Sequence, residues 1–364
     1  LLVFNEYSLT QINSKGVIMK KELLMGTALV STLGAASVAE AVTATMSGNH
    51  QTGLEFESPN SGTDSRAQIN DNNFTVSLSE TTDGGMTISS SFMLANETMA
   101  GTDGDAGFTL AFSDGSKLDL LNAGNASGSH DISIPGSAGA EGITTATTNN
   151  APTGMDFMTA STVYGVEYHT AADFMVDGLK MSFSVSTDDD TASGATYGID
   201  SHIGIGATYV TDLGDTAVTI GAGYSSTEGA KTGTQMTSDE GGVHFGISAV
   251  TGDLTVAVGF ADGDSIENTN TAQSDGEFVG VGIKYVSGDL TFNVGAKSGT
   301  SKDSTTIGTA GTTEDAEDST SASISYAVAS GVTAILGYTN KDAEDEGAAS
   351  TDGSAWYIGA NMSF

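Results

Sequence analysis

Apolar side chains recur at every second position along most of this chain. Phe74, Val76 and Leu78 alternate with Thr75, Ser77 and Ser79, and Met181, Phe183 and Val185 with Ser182 and Ser184. Val243, Phe245 and Ile247 flank His244 and Gly246, and Leu254, Val256, Val258 and Phe260 flank Thr255, Ala257 and Gly259. A period of two sends successive side chains to opposite faces of a strand, and no 3.6-residue stripe competes with it after residue 41. The second face constrains the fold further. In a sandwich it would look at bulk water and carry Lys, Glu, Arg and Thr. Here it carries Gly, Ser, Thr and Ala. Small polar residues pointing inward leave room for a lumen, and the apolar face then meets lipid.

The connections alternate as well. Short turns are expected at Asp83-Gly84-Gly85, Asp114-Gly115, Ala171–Gly178, Thr211–Gly214, Gly252-Asp253, Gly288-Asp289 and Ser330-Gly331. Eight longer segments separate them. Fifteen connections imply about sixteen strands, an even number with both termini at the short-turn end, as a closed antiparallel transmembrane barrel requires.

Composition excludes other classes. The net charge is −35, from 46 Asp+Glu against 11 Lys+Arg, yet only 16% of residues are charged. Such a chain lacks the basic patch that a nucleic-acid backbone needs. It has no Cys, hence no disulfide framework and no thiolate metal site. Its 48 Gly follow no Gly-X-Y period. There is no GxSxG, P-loop, GxGxxG or HExxH, so no catalytic residue is expected and the chain is read as not being an enzyme. A secreted acidic β-repeat surface protein, calcium-binding and adhesin-like, stays open beside the barrel.

The N-terminus reads as a targeting segment. Met19-Lys20-Lys21 opens an apolar run that ends in small residues, so 19–41 is expected to be a signal peptide cleaved between Ala41 and Val42. Residues 1–18 precede that start and are read as a non-native extension. The mature domain is then 42–364, exported from a Gram-negative cell.

The chain closes on AWYIGANMSF, with Trp356, Ile358, Ala360, Met362 and Phe364 on one face. This ending, the leader, the start VTATMSGNHQTGLEFE, and the hairpins FTVSLSETTDGGMTISSSF and GFTLAFSDGSKLDLLNAG stand in an order and spacing that resembles the Gram-negative general diffusion porins. The likeness is greatest to the alphaproteobacterial, Rhodobacter-like type. The resemblance implies an outer-membrane homotrimer of sixteen-stranded barrels, passing ions and small hydrophilic solutes by passive diffusion. A substrate-specific outer-membrane channel is the nearer alternative. The family's barrel-assembly machinery reads a terminal Phe, here Phe364 with Met362 and Trp356. Lipid and lipopolysaccharide are the implied surroundings. Pairing of first and last strands is implied too, which would bring Val42 to Phe364.

In that family the third long loop folds into the lumen. The matching segment is 123–160, which holds Asp131, Glu141 and Asp156 and no Lys or Arg. The opposing wall charges would be Arg66, Lys117, Lys284 and Lys297, a thin basic set. Glu55, Glu167 and His244 have lumen parity. A negative lumen concentrates cations, so cation selectivity is expected. Acids also gather in long segments, at Asp188-Asp189-Asp190 and at Asp342, Glu344 and Glu346, where Ca²⁺ or Mg²⁺ could bind through carboxylates. No other cofactor is expected.

Overall fold

The computed structural model describes residues 42–59, 63–95, 107–121, 125–136, 165–187, 199–229, 231–232, 235–236, 239–266, 273–304, 313–344 and 352–364. The expected leader and extension, 1–41, lie outside them. The strands in chain order are β1 (Thr43–Pro59), β2 (Ser65–Thr81), β3 (Thr87–Ala95), β4 (Phe108–Ala111), β5 (Lys117–Leu120), β6 (Gly165–His169), β7 (Leu179–Thr187), β8 (Ile199–Leu213), β9 (Thr216–Gly229), β10 (Lys231–Thr232), β11 (Gln235–Met236), β12 (Asp239–Thr251), β13 (Leu254–Ile266), β14 (Gln273–Ser287), β15 (Leu290–Ser304), β16 (Thr313–Ala329), β17 (Val332–Glu344) and β18 (Gly353–Ser363). β10 and β11 form a separate ribbon. The other sixteen close into one antiparallel barrel in which every strand neighbours the next and β18 returns to β1.

The seven short turns lie where the sequence places them. Each carries one glycine at positive φ: Gly85, Gly115, Gly178, Gly214, Gly252, Gly288 and Gly331. An L side chain is strained at such a position, so these turns favour glycine, although the Ala171–Gly178 turn also holds Asp173 and Met175 at positive φ.

Register assigns the two faces. Across β12–β15, the rows Ile247–Val258–Val281–Ala296 and Phe245–Phe260–Val279 point outward, and the intervening rows of small residues point inward. The outward apolar side chains are exposed: Val258 by 44%, Val281 by 47% and Trp356 by 53%. A water-soluble protein would bury them; lipid does so here. Leu254 to Phe260 spans about 20 Å along its strand, most of the height of a hydrocarbon band before tilt. Among the described residues no helix is long and apolar enough to cross a membrane.

Closure differs from the implied Val42–Phe364 meeting. Phe364 exchanges backbone hydrogen bonds with Gly48, at 3.1 and 3.2 Å, and its ring lies against Phe74. β1 is 17 residues long and β18 only 11, so the start of β1 runs past the end of β18 and pairs with β2.

Candidate functional site

The lumen is not empty. Residues 125–136, the described part of the third long loop, lie inside the barrel against the wall from β7 to β15. Nine wall glycines make the seat: Gly204, Gly206, Gly221, Gly223, Gly246, Gly259, Gly280, Gly282 and Gly295. A Cβ at Gly206 would stand 2.5 Å from the Ala126 carbonyl oxygen, and one at Gly246 2.6 Å from the Ile132 Cβ. One at Gly280 would stand 2.6 Å from the Ile134 Cδ1, and one at Gly295 2.7 Å from the Pro135 carbonyl oxygen. The small inward residues therefore do more than leave an open lumen. They cut a groove in which Ala126, Ile132 and Ile134 are buried.

Buried histidines lock the near end of the segment. The His244 Nε2 donates to the Ser127 carbonyl at 2.8 Å. The Ala126 amide donates to the Ser184 hydroxyl at 3.0 Å. A directed chain runs beside them. The Thr208 hydroxyl donates to His130 Nδ1 (2.6 Å), and His130 Nε2 donates to Ser182 Oγ (2.8 Å). Ser182 in turn donates to His169 Nδ1 (2.7 Å), and His169 Nε2 to Asp119 (3.0 Å). This order follows because a carboxylate only accepts and each hydroxyl and neutral imidazole donates once. Burial pushes His130 down to about 4, helped by the Lys180 charge and the imidazoles of His169 and His244. Asp119, His169 and Ser182 have the connectivity of a hydrolytic triad. The Ser182 side chain, however, has 0% exposure and its oxygen is shared by two imidazoles, so no substrate carbonyl reaches it. The arrangement fastens a loop.

The expected site residues fall as follows. Glu55, Glu167 and His244 face inward and are buried. Asp131 is on the seated segment with its side chain 58% exposed to the open lumen, 3.7 Å from His244 Nδ1. Lys297 faces inward beside Gly295, with its ammonium 5.8 Å from the centre of the Phe278 ring and within electrostatic reach of Glu317 and Asp131. Lys284 faces inward two residues past Gly282 on the short-turn side. Lys117 binds Asp119 at 3.0 Å. Arg66 is a correction: it pairs with Phe56, whose neighbours Leu54 and Trp356 point to lipid, and its guanidinium lies over the Phe56 ring. It stands on the outer face near the long-loop end and takes no part in a constriction. Glu141, Asp156, Asp188, Asp189, Asp190 and Glu346 lie outside the described residues. Asp342 and Glu344 lie on the outward face at the far end of β17. Phe364, Met362 and Trp356 share the outward face as expected.

Sequence reasoning missed two lumen lysines. Lys180 shares the parity of Ser182 and Ser184, opposite to Met181 and Phe183. Lys341 shares that of Thr339 and binds Glu317 at 2.7 Å. It also missed the meeting of Asp119, Glu167 and His169, whose donor atoms all lie within 4.8 Å of one another. The parity signal was present for each; the cross-strand register that unites them depends on loop lengths that parity does not carry.

Residues 26–346 match the model of a family described as Gram-negative porin. No curated protein matches in sequence. Among solved structures, the anion-selective porin from Comamonas acidovorans superposes with a TM-score of 0.66 at 11% identity, covering 89% of this chain and 100% of that one. OmpT of Vibrio cholerae in its trimer form gives 0.60 at 15%, covering 89% and 100%. A mutant of the Rh. blastica porin gives 0.57 at 14%, covering 88% and 100%.

Proposed function

Because this chain belongs to the Gram-negative porin family, we propose that its barrel is a general diffusion pore that passes ions and small hydrophilic solutes passively and prefers cations. Family and fold make it an outer-membrane protein. One observation carries the cation preference: the seated segment presents the Asp131 carboxylate to the open lumen, whereas the adjacent Lys297 is packed on Phe278 beside Glu317. The rest of the described wall leans the same way. Glu55, Glu57, Asp71, Asp119, Glu167, Glu240, Asp315 and Glu317 face inward against Lys117, Lys180, Lys284, Lys297 and Lys341. The fold does not set the sign, since the Comamonas protein of like fold is an anion-selective porin. Lumen charge sets it, over a screening length of about 8 Å at physiological salt.

The test is the reversal potential of the reconstituted channel in a salt gradient. Cation preference that shrinks in Asp131→Asn and in concentrated salt is expected; anion preference overturns the reading.

A homotrimer belongs to the same reading. Its support is a polar stripe on the outer wall at membrane height. His50, Thr52, Gln68 and Asn70 are exposed there, beside Met362, Leu54 and Ile358, and His50 hydrogen-bonds Asn72. Amides and imidazoles are costly against hydrocarbon, and a second copy of the chain would cover them. The sequence motifs support the alphaproteobacterial, Rhodobacter-like type. The terminal Phe364, outward and at the seam, suits recognition by the assembly machinery. Asp342 and Glu344, at the outer rim, suit Ca²⁺ or Mg²⁺ by their oxygen chemistry and lipopolysaccharide as a neighbour.

A further inference from the structure

We propose that Asp119, Glu167 and His169 form a binding site for a zinc-like divalent cation on the lumen wall. Three features point to a transition-metal ion. First, the donors converge. His169 Nε2 lies 3.0 Å from Asp119 Oδ2 and 3.3 Å from Glu167 Oε1. Donors bound at 2.0–2.1 Å around a tetrahedral ion stand about 3.3 Å apart, so two edges of the polyhedron are already formed. Register produces this: Asp119 is the cross-strand partner of Glu167, and His169 follows two residues later on the same face.

Second, each ligand is oriented by another group. Ser182 holds His169 Nδ1 at 2.7 Å, Ser129 donates to Glu167 at 2.7 Å, and Thr109 donates to the other oxygen of Asp119. Such partners fix ligand geometry in metal sites. Third, the charge is unbalanced. Glu167 is 2% exposed, and among the described residues its one ionic partner within 4 Å is the imidazole; the Lys117 ammonium binds Asp119 instead. Two carboxylates against one ammonium leave negative charge in a largely buried place, which a cation would offset. One imidazole nitrogen with two carboxylates suits Zn²⁺ and its first-row neighbours. Ca²⁺ and Mg²⁺ prefer all-oxygen shells of six or more.

Lys117, whose side chain is 39% exposed, acts as an internal competitor that swings aside when the ion enters. The ion takes the place of the proton on His169 Nε2. That imidazole then donates from Nδ1 to Ser182, and Ser182 and His130 exchange donor roles in turn. Occupancy at the wall is thus sensed at the seated loop, because Ser129 and His130 both belong to it.

The experiment titrates the folded protein in detergent with Zn²⁺ in the presence of excess Mg²⁺. Bound zinc per chain is measured, and X-ray absorption is recorded on the wild type. One zinc per chain with imidazole scattering is expected, weakened at least about tenfold in Asp119→Asn and Glu167→Gln, and tightened several-fold in Lys117→Met. His169→Gln removes the nitrogen donor; if it does not fold, the isosteric carboxylate variants and the wild-type spectrum still decide. Zinc that Mg²⁺ displaces, or that binds all variants equally, is adventitious and overturns the proposal, as does no binding by a folded barrel. The readout is binding, so it stands or falls apart from ion conduction.

Discussion

Single residues in the groove carry more of the pore than their size suggests. Gly246 faces Ile132 so closely that any side chain must displace the segment or the wall. Overpacking of this kind costs about 1–3 kcal/mol. Gly246→Leu is therefore expected to unseat residues 125–136 and raise single-channel conductance, with bilayer recordings as the check; unchanged conductance would count against the seat. His130 gives the groove a pH dependence. Its seated value, about 4, lies below the ordinary 6.5, so the released segment binds the proton more readily. The seat is at full strength above pH 6.5, weakens as pH falls from 6.5 to about 4, and loses nothing more below that. Protease access to the segment should rise through this window, and in His130→Gln the rise should flatten.

Strands were legible in the sequence to the extent that parity decides them. The alternation of Phe74, Val76 and Leu78 fixes both faces of β2, and it also assigns Arg66 outward once carried back eight residues. That step was hidden because Gln68, Asn70 and Asn72 interrupt the apolar series between Arg66 and Phe74. The physical cause is the polar outer stripe itself: where the outward face of a strand carries polar side chains, alternation loses contrast. The seat was hidden for a different reason. A glycine facing a lumen and a glycine facing a packed backbone look alike in sequence, and only the path of 125–136 separates them. The stripe yields a test at the level of β1 and β2. The chain has no cysteine, so Asn70→Cys introduces a single thiol. Short bismaleimides should link it between subunits, whereas a cysteine at the lipid-facing Val281 should stay unlinked.

At the scale of the molecule, the acids sort by place. The outward face of β13 and β14 is apolar through Phe260 and Val279, and the next outward residues are Asp262 with Glu277, then Asp264 with Asp275. No polar row intervenes between hydrocarbon-facing and ionised side chains. Sinking the barrel by one outward row, about 7 Å along the strand, would draw Asp262 and Glu277 into the bilayer. Each carboxylate drawn in costs up to about 1 kcal/mol near the interface, rising toward the midplane. The row works as a waterline. It fixes how deep the protein floats and resists tilt on that side, so the height of the pore mouth above the lipid is set by the outside of the wall, independently of what passes within.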